Sequence, residues 1–139
     1  MPAQTFPIRV YWEDTDAGGI VYHANYIRYM ERARSEWLRT IGFVQNLERM
    51  GPNGVLFVVA GIDIKYHRSA QLDEALTVTT GIERLGRASI IFDQKVWRGE
   101  ELIVSAKVRV GTIHSETRQP VAIPARLHEM IVSSLEADQ

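Results

Sequence analysis

Four stretches rich in β-branched residues, VLFVVAGIDIKYH (55–67), ALTVTTGIERL (75–85), ASIIFDQKVW (88–97) and ELIVSAKVRVGTIH (101–114), read as strands, and the turns between the last three are very short. A parallel return across a sheet takes a dozen or more residues. GR and RGE leave no room for one, so these three strands are expected to be antiparallel neighbours. In the last, Leu102, Val104, Ala106, Val108 and Val110 fall on one face, opposite Ser105, Lys107 and Arg109. That alternation describes a sheet with one buried face.

A different period precedes these strands. FPIRVYW (6–12) reads as a short strand with Pro7 near its start, where a missing N–H is tolerated. From 24 to 41, Tyr26, Met30, Ala33, Trp37 and Ile41 recur at helical spacing, and Gly42 is a suitable stop. The arginines Arg28, Arg32, Arg34 and Arg39 are expected on a solvated face, with pairs such as Arg32–Glu36. A loop containing MGPNG (50–54) follows, and PARLHEMIVSSLE (124–136) suits a closing helix with Pro124 in its first turn. One long helix must bury its stripe on the sheet, so the expected class is α+β, as a single domain over 1–139.

Composition closes off several functions. With formal net charge −1 and 16 Lys and Arg scattered along 139 residues, no nucleic-acid groove is expected. Zero cysteines remove a disulfide framework, thiolate-bound zinc and a thiol nucleophile together. No stretch approaches the ~18 apolar residues of a membrane span, so the default expectation is a soluble, cytoplasmic protein.

The chemistry concentrates in EDTDAGGIVYHAN (13–25), directly before the helix. Asp14, Asp16 and Gly19 match the first, third and sixth positions of a calcium loop, but Gly18 and Asn25 stand where further ligands belong. A phosphate cradle would carry a lysine at the helix start, and GGIVYHAN has none. His23, His67, His114 and His128 are too scattered for zinc, and there is no serine elbow of the form G-x-S-x-G. What remains is a carboxylate, a glycine turn and helix N–H groups without intrahelical partners. Those parts suffice to attack a carbonyl and hold a developing oxyanion. A thioester suits them, because its thiol leaving group, with a pKa of about 8.5, needs little help from an acid. The same residues also fit a plainer role, in which the acids complement the helix dipole and the glycines form a turn.

VYWEDTDAGGIVYHANYIRYMERARSEWLR (10–39) resembles the signature of hotdog-fold acyl-CoA thioesterases of the 4-hydroxybenzoyl-CoA thioesterase type, nearest to the Tol-Pal-associated branch. The resemblance implies an antiparallel sheet wrapped around one long helix. It implies Asp16 as the catalytic carboxylate, acting as nucleophile or general base, and the His23 backbone N–H as oxyanion donor, with the imidazole as an assistant. Gly18 and Gly19 would then give a thioester room to approach. In the turn ERLGRAS (83–89), Arg87 and Arg84 match the positions that meet the CoA nucleotide. They are fewer basic residues than the benzoyl branch has there, which leaves room for a phosphopantetheine carried on acyl-carrier protein. The resemblance further implies a homo-oligomer, dimer or tetramer, and no metal or other cofactor. Two other readings stay open: a hotdog dehydratase, although His23 is followed by Ala-Asn rather than Phe-Pro, and a non-catalytic scaffold for acyl-carrier protein or envelope-associated partners.

Overall fold

The computed structural model describes residues 4–43 and 54–137. Along the chain these form β1 (Gln4–Arg9), a 3-10 turn (Trp12–Asp14), α1 (His23–Thr40), β2 (Val55–Tyr66), β3 (Ala75–Leu85), β4 (Ser89–Arg98), β5 (Glu101–His114) and α2 (Ala125–Ala137). The loop expected at 50–54 lies, apart from Gly54, outside the described residues. No helix among the described residues is long and apolar enough to cross a membrane.

The five strands form one antiparallel sheet in the order β1-β3-β4-β5-β2. The short turns expected between the last three strands do make neighbours of them: Val78 faces Val96, and Val96 faces Val104. One sheet face is apolar, with Leu76 and Val78 from β3, Ile90, Phe92 and Val96 from β4, and Val104, Ala106, Val108 and Val110 from β5 all buried. The α1 stripe of Tyr26, Met30, Ala33 and Trp37 is buried with it, and Trp37 meets Phe92 edge-on with ring centroids 5.5 Å apart. The helix ends at Gly42, whose φ of +94° suits glycine, and the Phe43 N–H reaches back to the Leu38 carbonyl at 3.0 Å.

Three expectations are corrected here. The first strand stops at Arg9 instead of running to 12, because the Asp14 carboxylate accepts the Tyr11 N–H at 2.8 Å and turns the chain into Trp12–Asp14. Arg34 is not on the solvated face. It is buried, and its Nη1 donates to Gln94 Oε1 at 2.9 Å. Gln94, on the buried face of β4, donates through Nε2 to the Met30 carbonyl and to Thr80 Oγ1, both at 2.9 Å. A buried amide needs such partners, and α1 supplies two of the three. Glu36 pairs with Arg39, not with Arg32.

At the other edge of the sheet, β2 presents Val58, Val59 and Ile62 to solvent, exposed by 38%, 49% and 36%. Among the described residues nothing pairs with this edge of β2, and a long free edge with apolar side chains is a template for pairing with another chain.

Candidate active site

The segment between β1 and α1 is held by Asp14. Besides its carboxylate bond to Tyr11, its N–H donates to the Tyr11 carbonyl at 3.0 Å, and its own carbonyl accepts the Tyr22 N–H at 2.9 Å and Asn25 Nδ2 at 2.8 Å. One residue therefore ties the end of the first strand to the start of the helix. Asp14 and Asn25 are both buried. Tyr29, one helical turn beyond Asn25, brings a buried hydroxyl beside the Asp14 carboxylate, and no partner for it exists among the described residues. Burial raises the Tyr29 phenol well above its ordinary pKa, and the adjacent Asp14 carboxylate adds to the rise.

Asp16 sits in the loop that Asp14 closes off. Thr15 and Val21 pair as an antiparallel bridge, the Asp16 N–H donates to the Ile20 carbonyl at 3.0 Å, and the Gly19 N–H donates to the Asp16 carbonyl at 3.0 Å. The Asp16 carboxylate is exposed; its Oδ1 accepts the Gly18 N–H at 2.8 Å, an Asx-type turn. Oδ2 makes no hydrogen bond among the described residues. The two glycines serve different ends. A Cβ on Gly18 would stand 3.2 Å from Asp16 Oδ1, so this glycine leaves space for the carboxylate itself. Gly19 has φ +80°, and a Cβ there would meet nothing within 4 Å.

His23 is the first residue of α1, after Tyr22 at the cap. Its backbone N–H belongs to the first turn, where no intrahelical acceptor exists and the helix dipole favours negative charge. Its imidazole is exposed, 4.6 Å from the Tyr22 ring and edge-on to Tyr66 at 6.2 Å between centroids. The Tyr66 hydroxyl donates to the His23 carbonyl at 3.0 Å, joining the end of β2 to the helix start. Burial raises the Tyr66 pKa. Tyr22 is 46% exposed, whereas Tyr26 is buried and accepts the Ala70 N–H at 3.0 Å.

A second segment walls the loop. The Val21 N–H donates to the Ala70 carbonyl at 2.9 Å, and Ile20 bridges to Gln71. That segment is anchored by Arg98, which donates through Nη1 to both oxygens of Glu74, at 2.9 and 3.0 Å, and to the Ser69 carbonyl at 3.2 Å. Asp16, Gly18, Gly19 and His23 thus occupy one small region bounded by a tied backbone.

Arg84 and Arg87 are elsewhere. Both are exposed, one at the end of β3 and the other in the turn to β4. The acidic loop lies by the opposite end of β3, where Arg9 faces Ala75, which puts roughly 30 Å of strand between the two groups at about 3.3 Å per residue. A single copy does not bring these arginines to Asp16.

Sequence reasoning missed Asn25, Tyr29, Tyr66 and the burial of Arg34. Three of them had a signal: Asn25 and Tyr29 are four apart on one helix face, as are Met30, Arg34 and Leu38. Tyr66 reaches His23 only through the fold, and no local pattern marks it.

The antiparallel sheet with α1 on its buried face is a hotdog fold, and residues 18–105 match the thioesterase superfamily. The chain belongs to the thioesterase superfamily. It is 42% identical over 120 residues to the acyl-CoA thioesterase YbgC of Haemophilus influenzae, covering 86% of this chain and 88% of that protein. It is 33% identical over 132 residues to the acyl-CoA thioesterase YbgC of Helicobacter pylori, covering 88% of this chain and 96% of the relative. Among solved structures, a probable thioesterase from Bartonella henselae superimposes with a TM-score of 0.83 at 41% identity, covering 88% of this chain and 99% of that one.

Gly19 offers a direct check on the loop. Gly19→Ala forces a Cβ into the left-handed region and is expected to cost about 1–2 kcal/mol in urea unfolding, although the added methyl meets open space. An unchanged midpoint would contradict the conformation described for 16–20.

Proposed function

We propose that this protein hydrolyses acyl-CoA thioesters, with Asp16 supplying or activating the attacking oxygen. Water and an acyl-CoA give a carboxylic acid and free CoA. The observation that carries the reading is the Asp16 carboxylate, fixed through Oδ1 by the Gly18 N–H with Oδ2 free, in a loop that leads directly into the unpaired first N–H of α1. The His23 N–H receives the oxyanion as the carbonyl carbon becomes tetrahedral, and the thiolate leaves without a dedicated acid. The names of the curated relatives support the same substrate class. The imidazole of His23, standing exposed between Tyr22 and Tyr66, lines the approach of the thioester and orients it or the water. Gly18 and Gly19 keep that approach free of side chains.

Arg87 and Arg84 meet the phosphates of the CoA nucleotide. Because they lie far from Asp16 in their own chain, they serve a substrate bound by a neighbouring copy. This fits a homo-oligomer built first through the free edge of β2, where Val58, Val59 and Ile62 are exposed. Acyl-CoA as substrate accords with a cytoplasmic location, and the sparse basic charge at 84–87 also admits a pantetheine thioester presented by acyl-carrier protein.

Asp16→Asn tests the chemistry. It keeps the acceptor for the Gly18 N–H but removes the carboxylate, and turnover followed by thiol release is expected to fall roughly 10²- to 10⁴-fold with acyl-CoA binding retained. Turnover near the wild-type rate would refute the role of Asp16. Separately, Val59→Lys places a charge on the β2 edge and is expected to shift sedimentation toward the monomer; an unchanged sedimentation coefficient would place the oligomer interface elsewhere.

A further inference from the structure

The N–H offered to the oxyanion belongs to one rigid peptide plane, so its direction depends on what holds the residues on either side. Before it, the Tyr22 N–H donates to the Asp14 carbonyl at 2.9 Å. The Tyr22 carbonyl, in the same plane as the His23 N–H, accepts the Asn25 N–H at 2.8 Å. After it, the His23 carbonyl accepts the Tyr66 hydroxyl at 3.0 Å. Helix ends open at little cost, and Tyr22 at the start of α1 makes no side-chain capping bond. On this side the first turn is fastened from a different element, the last residue of β2.

The Tyr66 ring is itself well placed. Its backbone pairs with Val104 on β5, and its ring lies 5.8 Å from that of Tyr26 and edge-on to His23 at 6.2 Å. A phenol has one proton to give, and here it goes to the His23 carbonyl, which leaves none for the departing thiolate. Burial raises the Tyr66 pKa, which keeps that proton in place near neutral pH. We infer that Tyr66 is a positioning residue for thioester hydrolysis: through the His23 carbonyl, its hydroxyl holds the His23 N–H in the direction the tetrahedral oxyanion requires. This rests on the chemistry proposed for Asp16 and His23, and adds a residue 43 positions from His23 that touches no reacting atom. A donor already aimed where charge develops needs no reorganisation during the reaction. A donor that swings with a loosened turn loses part of that advantage, and a misplacement of about 1 Å can cost about 10²-fold. Removing the Tyr66 hydroxyl leaves the donor present but loose, so the loss is smaller than the about 10²- to 10³-fold of deleting an oxyanion donor.

Tyr66→Phe keeps the ring and its contacts and deletes only the hydroxyl. In the whole protein, kcat for an acyl-CoA that the wild type hydrolyses is expected to fall roughly five- to fiftyfold, with KM unchanged and a cooperative melt retained. That split marks an interaction that matters only in the transition state. A second measurement separates the hydrogen bond from ring packing. A difluorinated tyrosine at position 66 alone keeps ring and hydroxyl but ionises nearer neutrality, and a phenolate cannot donate. Its kcat is expected to match the wild type at low pH and to fall toward the Tyr66→Phe value as pH rises through its pKa, while the wild type holds. His23 and Tyr26, the titratable rings facing Tyr66, are present in both proteins, so the difference isolates position 66. If Tyr66→Phe fails to fold, the fluorinated protein decides alone. Unchanged kcat in Tyr66→Phe, a change in KM alone, or coincident pH profiles would overturn the inference, while wild-type turnover lost in Asp16→Asn would leave the thioesterase reading standing. A wild type that hydrolyses no acyl-CoA would overturn both.

Discussion

A buried carboxylate at Asp14 holds together three parts of the chain that would otherwise diverge. Its oxygen takes the Tyr11 N–H and ends the first strand, while its carbonyl takes the Tyr22 N–H and Asn25 and fixes where the helix begins. The loop 15–21 is closed off by those bonds, and Asp16 is placed by the closure. A buried acceptor left without such donors would cost about 1–3 kcal/mol, so the arrangement is held by more than one preference. The Asp16 carboxylate is thus exposed and free at one oxygen, whereas its neighbour two residues earlier is buried.

The helix that starts at this loop is fastened to the sheet by two kinds of contact. Its apolar stripe packs Trp37 on Phe92. Alongside runs a polar seam, Arg34 to Gln94 to Thr80 and the Met30 carbonyl, which fixes the helix against β4 at a definite height. Apolar packing alone tolerates sliding, whereas hydrogen bonds in a dry interior have one geometry. Together they fix how α1 lies on the sheet, and with it the His23 N–H relative to the strands.

The strands were legible because β-branched alternation and short turns leave few arrangements, and the helix because its stripe repeats every three or four residues. Boundaries moved where a side chain captured the backbone, as Asp14 does at Tyr11. Within the site, the acidic loop could be read as a unit, since its parts are close in sequence. Tyr66 could not, because its bond to His23 spans 43 residues and depends on the pairing of β2 with β5. Arg34 was misplaced for a different reason. An arginine on a helix is usually solvated, and the partner that its buried Nη1 meets, Gln94, lies sixty residues away on a strand.

The proposed chemistry is cleavage of a thioester at this loop and helix start. It is tested most directly by incubating the wild-type protein with a panel of short, long and aromatic acyl-CoAs and following free thiol. Catalytic release of CoA, with one carboxylic acid formed per thiol, is expected from at least one member of the panel. Thioester consumed without free thiol, or no consumption of any acyl-CoA, would contradict it.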